Sequence, residues 1–310
     1  MKPRDAASLL ALSTIWGSAF LFIHVAVREM PPFTVVAVRL TIAALVIAPL
    51  ARWSGATMPP RSGWPVLLFL AAFNNVVPFT LITAAQEHIT SSLAATLVAT
   101  MPLFTLIFAY VSATERLNVE RIAGLIIGFV GVAVLIGTDI TDITNSNTVG
   151  ELAVIAATAS YALSTVVARR WSTGAPLSLA SGQMIFGACM AIPLALVIDG
   201  SPDLAVSAKA GLSLVALGAL CSGLAYIIFF TLVQRMEATQ LSVVSYVIPI
   251  VATVLGWLVL DEPLGPNLFA GLVRVVIGAV GVNGGLHAAW RWSRERSARR
   301  GAAVGPGGAA

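Results

Sequence analysis

Several side chains that could bind a small molecule lie inside long apolar stretches of this 310-residue chain. Arg39 is charged and lies about six residues, or about 9 Å, from the outer end of its apolar stretch at 1.5 Å per residue. A charge at this depth usually faces a cavity or a partner. Asn74 and Asn75 are adjacent amides, and Gln183 is a third. Guanidinium and amide groups bind the carboxylates and other polar groups of small metabolites. The alternative for Arg39 is a structural arginine whose guanidinium binds helix-end carbonyls.

Aromatic residues and prolines add to this polar set. Trp16 and Tyr161 are predicted midway along their helices, where anchoring at the membrane surface does not explain an aromatic ring. Such rings either line a cavity or pack in the core. A proline removes a backbone donor and bends a helix, either beside a binding site or as a plain packing kink. The cavity set is completed by Pro78, Met101, Tyr226 and Tyr246, and bends are predicted at Pro102 and Pro249.

Titratable groups near the ends of the stretches are candidates for gating or coupling. His24 can carry a proton near neutral pH, although a lone histidine at this position is more often only amphipathic. Glu115 and Glu262 end two stretches; Glu115 can pair with neighbouring arginines and Glu262 with Arg274. No Asp or Glu is predicted inside a stretch, which leaves facilitated diffusion, exchange and proton coupling open.

The elements that must position these residues are membrane helices. Hydrophobic residues make up 58% of the chain and charged residues 10%, with a mean hydropathy of +0.91, whereas a soluble domain carries about 25% charged residues. In lipid the backbone must bond within its own element, and long stretches without alternating polarity exclude barrel strands. The ten predicted spans cover residues 6–27, 33–51, 64–86, 92–112, 121–137, 152–170, 177–198, 210–233, 241–260 and 267–289.

The distribution of positive charge predicts the orientation of these spans. Most of the 18 Lys and Arg residues fall on the side of the N-terminus. Because cytoplasmic loops are enriched in Lys and Arg, both termini are predicted to be cytoplasmic. Residues 291–310 are predicted to form a basic, disordered cytoplasmic tail that rests on anionic lipid headgroups or, as the alternative, binds a partner.

The chain is predicted to be a five-helix unit written twice. Glu115 aligns with Glu262, and at a slightly shorter spacing Arg39 aligns with Gln183. Because five is odd, the second copy must cross the membrane in the opposite direction. The predicted fold is therefore an all-α integral membrane protein with ten transmembrane helices in two inverted five-helix repeats, an architecture typical of secondary transporters. The repeats are predicted to cover residues 1–140 and 150–290.

The motifs resemble a known family. WGSAF (16–20) and MP-x(12)-ERL (101–117) resemble the first half of EamA-type members of the drug/metabolite transporter superfamily, and YVIPIVATVLGWLVLDEPL (246–264) resembles the second. The resemblance covers nearly the whole chain apart from the basic tail. It implies ten helices in inverted repeats and transport of small metabolites, such as amino acids or related compounds, out of bacterial cells. Arg274 stands where the resemblance implies an apolar residue.

The predicted function is secondary active or facilitative export of a small molecule across the bacterial inner membrane by alternating access. No cofactor, metal or nucleic acid is expected. The alternatives are a membrane-embedded enzyme, which needs a convergent set of titratable groups in the bilayer, and a non-transporting assembly subunit. Glycines spaced along the fifth and tenth spans are predicted to pack those helices or to form a homodimer contact.

Overall fold

Apolar runs of 17 to 26 residues build the fold. In hydrocarbon an unpaired backbone group costs several kcal/mol, so runs of this length become helices. A computed structural model describes residues 3–112, 117–136, 146–172, 174–201, 205–233, 235 and 243–282, and no strand occurs in these ranges. The helices are α1 (Pro3–Val27), α2 (Pro32–Trp53), α3 (Arg61–Ala85), α4 (Ser91–Val111), α5 (Val119–Ile136), α6 (Ser146–Trp171), α7 (Pro176–Ile198), α8 (Ala208–Leu232), α9 (Val243–Leu260) and α10 (Pro266–Val282).

Helix length and composition define a multi-pass membrane protein. Within the described ranges, seven helices, α1 to α4 and α6 to α8, are long and apolar enough to cross a membrane. Helices α9 and α10 are shorter apolar helices by the same measure. Large apolar side chains such as Leu45, Val197 and Leu212 are exposed on the surface, where lipid rather than water suits them.

The helices pack in a pattern that relates the two halves of the chain. α1 packs against α8 and α9, and α6 packs against α3 and α4. α2 packs against α7, and α5 packs against α10. Exchanging each helix for the one five positions along the chain reproduces these main pairs of neighbours.

Two helices contain π-helical turns at corresponding places. In α3 the π turn covers Ala72–Val76, and in α8 it covers Ala216–Leu224. A π turn replaces the regular i to i−4 hydrogen bonds, and it is frequent at functional sites. The predicted polar break at Asn74 and Asn75 is thus a widened turn in an otherwise continuous helix.

The two predicted proline bends differ in local structure. Helix α4 is interrupted between Val98 and Met101. There the Thr100 amide and hydroxyl both donate to the Leu97 carbonyl, at 3.1 and 2.6 Å, so the chain tightens just before Pro102. Helix α9, in contrast, continues as an α-helix through Pro249.

The start of α6 corrects one expectation. The helix begins at Ser146 rather than near residue 152, because polar residues that lower the hydropathy are acceptable in the first helical turn. Glu151 was expected outside the helices, yet it lies in α6 and is only 4% exposed. The predicted gating residue Glu115 and the predicted tail at 291–310 lie outside the described residues.

Glycines bring α5 and α10 into backbone contact. A Cβ atom built on Gly278 would meet the amide nitrogen and Cα of Gly128, and it would lie 2.7 Å from the carbonyl oxygen of Gly124. Backbone atoms cannot move aside as a flexible side chain can. These glycines therefore pack α5 against α10 within one chain, which is one of the two roles predicted for them.

Gly278→Ala is expected to destabilise the protein by about 1–3 kcal/mol, the usual cost of overpacking. The measurement is thermal unfolding in detergent. Gly265→Ala is the matched control, since a Cβ atom at Gly265 meets no atom within 4 Å. Equal melting temperatures for the two variants would contradict the close contact.

Candidate functional site

Arg39 lies at the centre of the bundle with 4% of its surface exposed. Its Nε atom donates a hydrogen bond of 2.7 Å to Ser222 Oγ. Its Cζ atom lies 3.6 Å from the centroid of the Phe79 ring. No carboxylate of the described residues pairs with it. Insertion of an arginine costs about 2.5–3.5 kcal/mol. The two contacts offset much of that cost, but the terminal nitrogens of the guanidinium make no hydrogen bond to the described residues.

A glycine on α8 allows this arrangement. A Cβ atom on Gly218 would overlap the Ile42 side chain at 2.5 Å and would lie 2.9 Å from the Arg39 carbonyl oxygen. Because Gly218 has no side chain, the π turn of α8 packs directly against α2. The approach places Ser222, one helical turn further on, beside the guanidinium.

Aromatic rings form the wall around Arg39. Trp16 of α1 makes an edge contact with Tyr226 at 5.9 Å between centroids and a tilted contact with Phe229 at 5.4 Å. Tyr161 of α6 meets the Phe79 ring edge-on at 6.5 Å. Of the predicted cavity aromatics, Trp16, Tyr161 and Tyr226 are therefore brought together around one arginine.

The π turns supply carbonyl groups to donors from neighbouring helices. Trp16 Nε1 donates to the Cys221 carbonyl at 3.2 Å, in the π turn of α8. Ser160 Oγ donates to the Phe73 carbonyl at 2.6 Å, in the π turn of α3. The two bonds are similar, since one joins the middle of α1 to the π turn of α8 and the other joins the middle of α6 to the π turn of α3.

The three predicted amides differ in burial, since Asn74 is half-buried whereas Asn75 and Gln183 are buried. Asn74 accepts from Ser164 Oγ at its Oδ1 atom, at 3.0 Å, and from Tyr226 Oη at its backbone carbonyl, at 3.2 Å. The side-chain amides of Asn75 and Gln183 are fully buried, and neither has a hydrogen-bond partner among the described atoms. Buried amides are nearly always bonded, so these two are available to water or to a ligand.

The remaining cavity predictions have less support. Pro78 is buried in α3, immediately before Phe79, and its place in a cavity stays a prediction. Met101 and Tyr246 are half-buried on α4 and α9. Their place in a cavity stays a prediction.

The predicted pairing of Glu262 with Arg274 is wrong. The Glu262 carboxylate accepts hydrogen bonds from the backbone amides of Ser91 and Ser92, at 2.7 and 3.1 Å. These amides begin α4, where a helix has unpaired donors and a positive dipole end that attract a carboxylate. Arg274 is exposed on α10 and donates to the Ala270 carbonyl of its own helix at 3.0 Å.

Phe79, whose ring covers the Arg39 guanidinium, was not predicted from the sequence. A signal was present. At the spacing that aligns Glu115 with Glu262, Phe79 falls on Tyr226. The repeat thus placed an aromatic residue at that position in both halves.

The fold defines a multi-pass membrane protein with a polar centre among its helices. The model of the EamA-like transporter family matches residues 6–137 and again 148–284. The chain belongs to the EamA-like transporter family.

Relatives and a solved structure agree with this assignment. The uncharacterized transporter YvbV of Bacillus subtilis is 25% identical over 91% of this chain and 92% of its own length. The uncharacterized inner membrane transporter YedA of Escherichia coli K12 is 27% identical over 88% of each chain. A crystal structure at 21% identity shares the fold, with a TM-score of 0.67 over 91% of this chain and 96% of that one.

Ser160→Ala is expected to lower the stability by about 1 kcal/mol, the scale measured for hydrogen bonds between membrane helices, because the Phe73 carbonyl loses its donor from α6. Thr165→Val is the control, since the Thr165 hydroxyl bonds only within its own helix, to the Tyr161 carbonyl. Thermal unfolding of the two variants in detergent is the measurement. A smaller loss for Ser160→Ala than for Thr165→Val would contradict the role of the cross-helix bond.

Proposed function

We propose that the chain exports small metabolites across the bacterial inner membrane by alternating access between two inverted five-helix repeats, residues 1–140 and 150–290. Three observations support the repeats. The main pairs of helix neighbours are reproduced when each helix is exchanged for the one five positions along. α3 and α8 both carry π turns. The family model matches once in each half.

The buried, incompletely hydrogen-bonded guanidinium of Arg39 is the observation that carries the choice of substrate. Ser222 occupies its Nε donor and Phe79 covers one face, which leaves the terminal donors of the guanidinium fork for a ligand. A carboxylate matches that fork in charge and geometry. The substrate we propose is therefore an anionic or zwitterionic metabolite such as an amino acid.

The opposite half offers a neutral counterpart. Gln183 occupies in α7 the place of Arg39 in α2, and Asn75 occupies in α3 the place of Ser222 in α8. A Cβ atom on Gly187, one turn from Gln183, would lie 3.9 Å from Asn75 Cβ, so α7 and the π turn are in contact. The unpartnered amides can accept from the amino group of the substrate while Arg39 binds its carboxylate.

The proposed carrier works by secondary active or facilitative transport, and the two modes differ in whether a proton is coupled to the substrate. His24 is the proposed coupling group: it is half-buried near the end of α1, and its Nδ1 atom has no hydrogen-bond partner among the described residues. If the protein forms a homodimer, the contact uses faces other than the glycines that join α5 to α10.

Arg39→Gln is expected to reduce export on the order of tenfold or more, because a charged hydrogen bond is replaced by a neutral one. Metabolites in the medium of cells that overproduce the protein are profiled first. The flux of the enriched metabolite is then compared for Arg39→Gln and for Arg52→Gln at equal membrane levels. Arg52 makes a fair control because it lies exposed at the other end of the same helix. Unaltered flux with Arg39→Gln would remove Arg39 from the site.

The orientation has its own test. A fluorescent protein fused after Ala310 is expected to fluoresce, since both termini are proposed to be cytoplasmic. Alkaline phosphatase inserted after Gly200, between α7 and α8, is expected to be active because that loop is proposed to face the periplasm. The reverse pattern would invert the topology and the direction of export with it.

A further inference from the structure

Carboxylates at one end of the bundle bind helix N-termini of the opposite half. Glu29, just after α1, accepts from the amide and the hydroxyl of Ser207, at 2.7 and 2.6 Å, at the start of α8. Asp199, just after α7, accepts from the amide and the hydroxyl of Thr34, at 2.7 and 2.8 Å, at the start of α2. In each case a carboxylate of one half binds the first turn of a helix in the other half.

Glu262 makes a third such link, and the neighbouring Ser92 and Gly256 both accommodate its carboxylate. Besides the amides of Ser91 and Ser92, the Ser92 hydroxyl donates to Glu262 Oε2 at 2.5 Å. A Cβ atom on Gly256 would collide with this carboxylate and would lie 2.7 Å from Ser92 Oγ, so the link needs glycine there. Asp261 has a left-handed backbone with φ of 53°, which turns the chain from the end of α9 toward α4.

We propose that these three carboxylates form a gate, closed in this structure, between the central site and one face of the membrane. The inference rests on the proposed transport function, because rocking of the halves around Arg39 must separate the groups that tie them together. The links join α1 to α8, α7 to α2 and α9 to α4, so all three lie across the boundary between the halves. By the distribution of positive charge, this face is the periplasmic one.

The three links differ in strength because they differ in exposure. Glu262 is 6% exposed, so its charged hydrogen bonds are shielded from water and from salt. Glu29 is exposed, and its bonds from Ser207 hold its pKa below the ordinary value. Glu29 therefore stays ionised at neutral pH, and its link is lost only as the pH falls through that lowered pKa. Glu262 is the link whose loss opens the gate most.

The native cysteine beside Arg39 reports opening without any substrate. Cys221 is fully buried next to Ser222, and Cys189→Ser leaves it as the one thiol of the chain. A membrane-impermeant maleimide is added to spheroplasts that carry this protein. Glu262→Gln is expected to raise the rate of Cys221 labelling on the order of tenfold, as for the loss of a charged hydrogen bond, and Asp199→Asn to raise it less.

Glu87→Gln is the matched control. Glu87 lies in the loop between α3 and α4 at the same end of the bundle, and its side chain is exposed. The substitution removes the same charge without touching a link, so the labelling rate is expected to stay at that of the parent. Equal labelling rates for Glu262→Gln and Glu87→Gln, in protein that melts at the parent temperature, would overturn the gate.

Cross-linking provides a second measurement that does not depend on loss of stability. Thr34→Cys and Asp199→Cys are introduced together into a chain that lacks both native cysteines, and a short bis-methanethiosulfonate joins them. Export is expected to stop and to return after reduction. Full cross-linking with unchanged export would overturn the gate. Raised labelling of Cys221 in a protein that exports nothing would instead preserve the gate and reject the proposed transport.

Discussion

A positive charge buried without a carboxylate partner among the described residues is the constraint on which the rest of this structure depends. Arg39 can remain in the bundle only because Ser222 accepts from it and Phe79 covers it. The contact with Ser222 depends on a close approach of α8 to α2. Gly218 lets α8 reach α2, and the π turn of α8 turns Ser222 toward the charge. The proposed substrate contact and the packing of α8 on α2 therefore depend on the same residues.

Backbone hydrogen bonding explains why the centre has the form it does. In a bilayer an irregular turn is tolerated only where neighbouring groups satisfy its freed carbonyls. Here the donors are side chains of Trp16 and Ser160, from the helices that pack against the two π turns. The same bonds that satisfy the turns also fix the aromatic wall of the site.

Much of the fold could be predicted from the sequence, because hydropathy determines where a chain can enter lipid. Apart from the start of α6, the described helices begin and end close to the predicted spans. The aligned residues Arg39 and Gln183 lie in α2 and α7, which pack against each other. Phe79 could not be found from hydropathy, since its contact with Arg39 depends on how α3 is rotated. The partner of Glu262 was likewise hidden, because a helix N-terminus far away in sequence attracts it more than Arg274 does.

A fixed cation inside a bilayer also has an electrical consequence. Under the proposed mechanism, a monoanion bound beside Arg39 neutralises it, so the loaded carrier moves little net charge when its halves rock, whereas a zwitterion leaves the charge in place. The empty carrier keeps the charge, and a transmembrane voltage acts on it with up to about 2.3 kcal/mol per 100 mV if the charge were to cross the whole field. For an anionic substrate the membrane potential would act mainly on the return of the empty protein, and for a zwitterionic one it would act on both halves of the cycle.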